Sequence, residues 1–318
     1  MDDLFDTKNI APMLIAENVA PFADSEYLYE MKWDGERCVA YLDPAGGTEL
    51  RNKRNVRMLP KVPELSQLHK QITGRCILDG ELLCVVGGKP SFEAIQRRSL
   101  MSSRHKIELA AMQYPAAFIA FDRLYYGGRE LAMLPLIQRR EYLRKAVAEE
   151  SDRLAVSRVY EAEQAMELIR LTQEQGLEGV VAKQKTSLYF FGKRTKHWLK
   201  IKNLMDDDYV VCGYIRKEGN MSSIILGQYE GHVLSYKGHV TLGVDGTAFA
   251  KIKGQPRSPW SPFSEQVPSG NENAVWLEPR LVCTVEFMHR MKNDGMRQPV
   301  FKGLRDDKAP TDCVAWDS

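Results

Sequence analysis

The sequence predicts an α+β protein in two parts, a domain of strands and helices over residues 1–203 and a small β-barrel over residues 204–318. Before Asn203, β-rich segments alternate with stretches of helical spacing, whereas after it short strands follow one another between Gly- and Asn-containing turns. The charge divides in the same way, because residues 1–203 carry 31 basic and 27 acidic side chains and residues 204–318 carry 13 and 15. We therefore expect the boundary between Asn203 and Asp208.

The composition is that of a soluble globular protein. The 318 residues are 44% hydrophobic and carry a net charge of +2, which excludes a disordered chain. The six cysteines form no C-x-x-C pair and the histidines have no zinc-like spacing, so we expect reduced thiols. No apolar run reaches the roughly 20 residues of a membrane helix, and the N-terminus is acidic, unlike a signal peptide. A cytoplasmic protein without membrane association is expected.

Strand signals in the first domain surround two Asp-Gly pairs. Residues 27–43 predict two strands on either side of Asp34-Gly35, which is a hairpin or tight-turn signal. Residues 75–86 predict a second strand pair, broken at Asp79-Gly80. Residues 116–126 are rich in aromatic side chains and predict a buried strand.

Helical spacing and an irregular segment complete the predicted elements. Residues 135–149 and 161–175 have helical spacing, and Gly176 is placed to end the second helix as its C′ residue. In the barrel, one short helix is expected near residues 247–253. The five prolines of residues 254–279 predict a long loop after it.

Lys32 opens the segment KWDGER, residues 32–37. A lone strand lysine is ordinarily solvated, but here Asp, Gly and Arg follow it in a turn. The segment resembles K-x-D-G-x-R, the active-site signature of the covalent nucleotidyltransferases, a superfamily of DNA ligases, RNA ligases and mRNA capping enzymes.

Six further segments resemble motifs of this superfamily in the same order along the chain. They are LRNKRN with Arg54 and Asn55, LDGEL with Glu81, FIAFDRLYY with Phe121 and Asp122, LEGVVAK with Glu178 and Lys183, HWLKIK with Lys200 and Lys202, and FKGLRDDK with Asp306 and Lys308. The resemblance implies a nucleotidyltransferase domain (ATP-grasp-like, antiparallel sheets with helices) over residues 1–203, followed by an OB-fold β-barrel over residues 204–318. The stretches SFEAIQRR, LIQRREYL and WLEPRLVCTVEF are similar to the ATP-dependent ligase domain of bacterial non-homologous end-joining ligases in particular.

The resemblance implies a covalent chemistry. The active-site lysine would attack the α-phosphate of ATP and hold AMP as a phosphoramidate, pass it to the 5′-phosphate of a DNA break, and release it when the 3′-hydroxyl attacks. Neighbouring cations would favour the neutral amine and stabilise the charge on the phosphate. Two barrel residues would orient pyrophosphate when the barrel closes over the nucleotide. The catalytic candidates are Lys32, Arg37, Lys200, Lys202, Asp306 and Lys308.

The nucleotide-binding candidates are implied in the same way. Phe121 and Glu30 match the positions that contact adenine, and Lys183 would face the base or the phosphate. The other candidates would hold the ribose or the phosphates. They are Lys32, Arg37, Arg54, Asn55, Glu81, Lys200 and Lys202.

Two carboxylates are candidates for holding Mg²⁺, with Mn²⁺ as a substitute. Glu178 and Glu81 adjoin apolar strand segments, where an unpaired carboxylate is costly. Magnesium takes one or two carboxylates and keeps several waters, so the pair suits it. A buried ion pair with a lysine is the alternative explanation for either residue.

The expected function is ATP-dependent sealing of nicks or ends in duplex DNA by a monomeric, nucleoid-associated enzyme. The basic segments 51–57 and 193–196 are the expected contacts to DNA phosphates. A Ku-type end-binding protein and a repair polymerase are expected partners by the same resemblance. An RNA ligase or mRNA-capping-type nucleotidyltransferase, and an inactive OB-fold module that only binds DNA, are the alternatives.

Overall fold

The computed structural model describes residues 3–217, 221–288, 290–291 and 295–315. The chain divides into two compact units, Met1–Asn203 and Leu204–Ser318. The α-helices within the described residues are α1 (Leu4–Thr7), α2 (Phe92–Leu100), α3 (Arg104–Gln113), α4 (Leu136–Ala146), α5 (Ala162–Glu174) and α6 (Gly246–Lys253). The strands of the first unit are β1 (Leu14–Asn18), β2 (Tyr27–Met31), β3 (Glu36–Asp43), β4 (Gly47–Asn52), β5 (Cys76–Val86), β6 (Lys89–Pro90), β7 (Ala116–Tyr126), β8 (Arg129–Glu130), β9 (Leu154–Val156), β10 (Val159–Tyr160), β11 (Gly179–Gln184) and β12 (Arg194–Lys202). Those of the second are β13 (Met205–Arg216), β14 (Ser222–Glu230), β15 (Val233–Val240), β16 (Val275–Phe287) and β17 (Val300–Arg305).

Two sheets form the first unit. One has the strand order β1-β12-β11-β2-β10, and the other has the order β4-β3-β5-β7-β8 with β6 beside β5 and β9 beside β7. Most neighbours are antiparallel, but β1 runs parallel to β12 and β9 parallel to β7. Helix α5 covers the first sheet with Ala165, Leu168, Ile169 and Thr172, which recur at helical spacing and are buried. The predicted antiparallel sheets with helices are confirmed.

Both Asp-Gly predictions were wrong about local pairing. The chain does not form a hairpin at Asp34-Gly35, since β2 pairs with β10 and β11 while β3 pairs with β4 and β5, so this segment crosses from one sheet to the other. A Cβ on Gly35 would lie 2.2 Å from the carbonyl oxygen of Leu82, so only glycine allows the backbone to lie this close to β5.

The second Asp-Gly pair lies inside a strand. β5 runs unbroken from Cys76 to Val86, with register shifts against β7 around Asp79 and Gly80. A Cβ on Gly80 would meet the carbonyl oxygen of Ile119 at 2.5 Å. This glycine therefore permits a bulged strand to lie against its neighbour instead of turning the chain.

The remaining secondary-structure predictions in the first unit are confirmed. The aromatic-rich segment is β7, and the two helical stretches are α4 and α5, each slightly shorter than predicted. Gly176 follows α5 with a φ of +64°, as a C′ glycine does.

The second unit is a closed barrel with the strand order β15-β14-β13-β16-β17. Closure comes after β15, where Leu242 forms a parallel bridge with Val300 and its carbonyl accepts from the amide of Phe301 at 2.8 Å. Helix α6 lies between β15 and β16, capped by the Asp245 side chain. The irregular segment follows α6 and ends at Ala274. The predicted OB-fold is confirmed.

The cysteine prediction is also confirmed, because all six thiols are unpaired and buried. Among the described residues, no helix combines the length and apolar character that crossing a membrane requires.

Candidate active site

A pocket lies between the two sheets of the first unit. Its cavity volume is about 60 Å³, and it is partly open to solvent. One sheet contributes β2, β11 and β12 to its walls, and the other contributes β3, β5 and β7. The lining residues are Ile15, Glu30, Met31, Lys32, Trp33, Arg37, Glu81, Phe121, Val181, Lys183 and Trp198.

Lys32 is positioned at the end of β2. Its amide donates to the carbonyl of Gly179 at 2.9 Å, which extends the pairing of β2 with β11 by one residue. Its Nζ donates to Oε2 of Glu178 at 2.5 Å. Nζ of Lys202 lies 3.8 Å from the other oxygen of Glu178. The carboxylate of Glu178 therefore lies between two lysines.

Gly179 explains how Glu178 reaches this position. Its φ is +132°, and a Cβ there would lie 2.1 Å from the carbonyl oxygen of Ile201 on β12. Only glycine allows both the backbone conformation and this close approach. The carbonyl of Glu178 also accepts from the amide of Asn203 at 3.1 Å, which fixes the start of β11.

The inner part of the pocket combines aromatic rings with buried charges. Nζ of Lys183 lies 2.8 Å from Oε1 of Glu30 and 4.3 Å from the ring centroids of both Phe121 and Trp198. Burial lowers the pKa of Lys183, and the carboxylate of Glu30 offsets this in part. Arg140, from α4, lies 3.7 Å from the same oxygen of Glu30. The arrangement offers aromatic faces beside polar edges, which is what a purine base requires.

Arg37 crosses the pocket from β3. Its guanidinium lies 4.4 Å from the centroid of Phe121 and donates twice to Asp79, at 2.6 Å for each bond. Although burial acts against it, the neighbouring Asp79 raises the pKa of Arg37. Tyr189 donates to the same carboxylate at 2.6 Å. Arg37 is thus held rigidly and remains a cation.

Glu81 lines the pocket without a hydrogen bond or ion pair to any described residue. Removal from water raises the pKa of Glu81 to about 8, although Arg37 and Lys32 act in the opposite direction. Neither cation pairs directly with this carboxylate, and a hard metal ion would do so. The described residues contain no cluster of three metal-ligating side chains. Glu81 and Glu178, together with water molecules, would fit Mg²⁺. In this structure Glu178 forms an ion pair with Lys32, which is the alternative that the sequence left open.

The other predicted residues lie in three places. Lys200 is half-buried on β12, and partial burial together with Lys202 and Lys32 lowers its pKa. Arg54 and Asn55 lie in an exposed turn after β4 and are not among the residues that line the pocket.

Asp306 and Lys308 belong to the second unit. Asp306 is exposed. Nζ of Lys308 lies 3.0 Å from Oδ2 of Asp208, and Nη1 of Arg305 contacts that oxygen at the same distance. Asp208 therefore pairs with both Arg305 and Lys308 within the barrel.

Sequence reasoning missed several residues of the pocket. Trp198 lies inside HWLKIK, two and four residues before Lys200 and Lys202. This spacing places all three on one face of a strand, so the sequence could have indicated that Trp198 faces the pocket. Trp33 and Asp79 also lie within quoted motifs. Arg140 lies in the quoted stretch LIQRREYL, but its contact with Glu30 arises from the packing of α4, which that stretch does not indicate.

The comparisons with known proteins follow the same division of the chain. A family model described as "ATP dependent DNA ligase domain" matches residues 11–202, and one described as "ATP dependent DNA ligase C terminal region" matches residues 217–308. The chain belongs to the ATP-dependent DNA ligase family.

Several ligase-family proteins resemble the chain over most of its length. "Multifunctional non-homologous end joining protein LigD" of Mycolicibacterium smegmatis is 30% identical over 98% of the chain, which spans 40% of that relative's length. "SPbeta prophage-derived DNA ligase-like protein LigB" of Bacillus subtilis is 28% identical over 93% of the chain and 99% of its own length. The solved structure "mycobacterial DNA ligase D complexed with ATP and MES" has a TM-score of 0.54 and 27% identity, covering 96% of this chain and 98% of that one. The expected resemblance to end-joining ligases is confirmed.

Proposed function

We propose that this chain is an ATP-dependent DNA ligase that seals 5′-phosphate/3′-hydroxyl breaks in duplex DNA through AMP held on Lys32. The observation that carries the proposal is the position of Lys32, whose amine enters a pocket with aromatic walls and touches Glu178 at 2.5 Å. Residues 1–203 would form the adenylyltransferase domain and residues 204–318 the OB-fold domain.

In the first step, Nζ of Lys32 attacks the α-phosphorus of ATP. The new N–P bond replaces the bond to pyrophosphate, and Glu178 is the group placed to accept the proton that the amine loses. Lys200 and Lys202 would stabilise the charge that develops on the phosphate oxygens. The 5′-phosphate at a break then takes AMP from Lys32, and the 3′-hydroxyl displaces AMP as the phosphodiester forms.

The pocket divides between base and phosphate. Phe121 and Trp198 provide the faces for adenine, and the Glu30–Lys183 pair provides polar edges. Mg²⁺ bound by Glu81 and Glu178 would neutralise phosphate charge. Glu178 would become available to a metal once Lys32 carries AMP and the proton that Glu178 accepted has passed to solvent, because the ammonium that pairs with it has then gone.

DNA binding and biological role belong to the same proposal. The basic segments 51–57 and 193–196, which include the exposed Arg54, would contact backbone phosphates at nicks or ends. The similarity to LigD supports a role in end joining, with a Ku-type protein and a repair polymerase as partners. A cytoplasmic, nucleoid-associated monomer suits this role. Asp306 and Lys308 would act on pyrophosphate in the first step.

The test is a labelling experiment. Purified protein, first treated with pyrophosphate to remove bound AMP, is incubated with Mg²⁺ and α-labelled ATP or GTP and then chased with 5′-phosphorylated nicked duplex DNA. We expect labelling by ATP, loss of labelling in Lys32→Ala, and full labelling in Lys106→Ala, which alters an exposed lysine of α3. Labelling by GTP alone would indicate a capping-type enzyme, discharge only by RNA an RNA ligase, and no labelling an inactive DNA-binding module.

A further inference from the structure

A second cleft lies in the first unit, where the chain passes from β9 in one sheet to β10 in the other. Its volume is about 380 Å³. Helix α4 contributes Arg140 and Arg144 to its wall, the β9–β10 connection contributes Ser157 and Arg158, and Tyr160 follows. Clefts of this size hold ligands as large as a nucleotide.

The wall of the cleft is strongly basic. Arg144 and Arg158 are exposed, and neither forms an ion pair with a described residue. Glu150 is the acidic residue of the lining, and its Oε1 accepts from the amide of Val156 at 3.1 Å. Arg140 lies beside Glu30, so the two exposed guanidinium groups, those of Arg144 and Arg158, share the wall with one carboxylate that is already engaged.

Two buried polar groups in the same wall have unused hydrogen-bonding capacity. Arg140 is 3% exposed and donates to the carbonyls of Phe121 and Ser157, but its Nε has no partner among the described residues. Ser157 is 2% exposed, and its Oγ likewise has no partner there. Unsatisfied buried donors are costly in a folded protein, and a bound acceptor would remove that cost.

We propose that this cleft binds a phosphate group. Guanidinium groups match the oxygens of a phosphate in charge and in fork geometry, and the Ser157 hydroxyl adds a neutral donor. The cleft and the pocket around Lys32 share no lining residue, although Arg140 of the cleft contacts Glu30 of the pocket. The proposal does not rest on the ligase reaction. The proposed ligand is bound at the cleft and takes no part in the transfer of AMP.

The test measures the melting temperature against inorganic phosphate at constant ionic strength. We expect a saturable rise for the native chain. Arg144→Ala with Arg158→Ala should weaken the apparent affinity by about tenfold or more, since charge-assisted hydrogen bonds are lost. Lys145→Ala, an exposed neighbour on α4 outside the cleft, should retain the rise. Ser157→Ala should weaken it with both arginines intact.

Two controls make the outcome decisive. Phosphate could also enter the Lys32 pocket, so Lys200→Met is titrated in parallel. A rise that is lost in Lys200→Met and kept in the double arginine variant would overturn the proposal. A second titration with nicked duplex DNA identifies the source of the phosphate: loss of DNA affinity in the arginine variant indicates a nucleic-acid backbone, and unchanged DNA affinity indicates a small phosphate compound.

Discussion

Oε2 of Glu178 lies 2.5 Å from Nζ of Lys32, and the other oxygen of Glu178 lies 3.8 Å from Nζ of Lys202. One carboxylate thus orients the amine proposed as the nucleophile and separates it from a second cation. The same carboxylate is the nearest group that could receive a proton from Lys32. We therefore predict that Glu178 acts in the proposed first step, in addition to any binding of a metal ion.

Glu178→Gln tests that role. We expect labelling of Lys32 by ATP to slow by about 10²-fold or more, because an amide cannot accept the proton and does not hold the ammonium by charge. Single-turnover labelling measures the rate. Glu174→Gln, on the exposed surface of α5, should label at the native rate. An unchanged rate in Glu178→Gln would assign the proton to another group.

Asp79 is predicted to hold Arg37 in the pocket. Asp79→Asn leaves a largely buried guanidinium without its counterion, so we expect a loss of about 3 kcal/mol in the free energy of unfolding. Tyr189→Phe removes one hydrogen bond to the same carboxylate and the acceptor of the Met13 amide, but no charge, and should cost about 1–2 kcal/mol. Urea denaturation compares the two variants. Equal losses would mean that the charge pairing of Arg37 contributes nothing to stability.

Glu30 and Lys183 should be energetically coupled. Both side chains are almost fully buried and lie 2.8 Å apart, so losing either partner leaves an uncompensated charge. We expect Glu30→Gln and Lys183→Met, alone and together, to give a coupling of about 2 kcal/mol in a double-mutant cycle. The exposed pair Glu93–Arg97 on α2 should give only about 0.5 kcal/mol. Additive losses at Glu30 and Lys183 would rule out the coupling.

The sequence sufficed for the elements and for most of the pocket, because family motifs fall on the strand ends that line it. The sequence-based prediction was wrong where a glycine allows a neighbouring strand to approach closely. Gly35 and Gly80 resemble turn residues locally, but each is required by a backbone atom of another strand, at Leu82 and Ile119 respectively. Such close approaches depend on sheet pairing, which local sequence does not specify.

Side-chain contacts between distant elements could not be predicted from the sequence either. Arg140 reaches both Glu30 and the carbonyl of Phe121 from α4, and neither the helical spacing nor the stretch LIQRREYL indicates these contacts. The pairing of Lys308 with Asp208 joins the two ends of the barrel sequence in the same way. Motifs identify which side chains are chemically suited, and packing decides which of them meet.

Glu81 predicts a dependence of stability on pH. Removal from water raises the pKa of Glu81 from 4.5 to about 8. Between pH 4.5 and pH 8, Glu81 is therefore protonated in the folded chain and ionised in the unfolded chain. The associated stability is present in full below pH 4.5 and is lost as the pH rises toward 8. We expect the free energy of unfolding of the native chain to fall across this range relative to Glu81→Gln, in which the group cannot ionise. The exposed Glu93→Gln should keep the native slope. Added Mg²⁺ should stabilise the native chain near pH 8 and should stabilise Glu81→Gln less. Identical pH profiles for the native chain and Glu81→Gln would contradict the prediction, because they would show that Glu81 remains ionised without a metal.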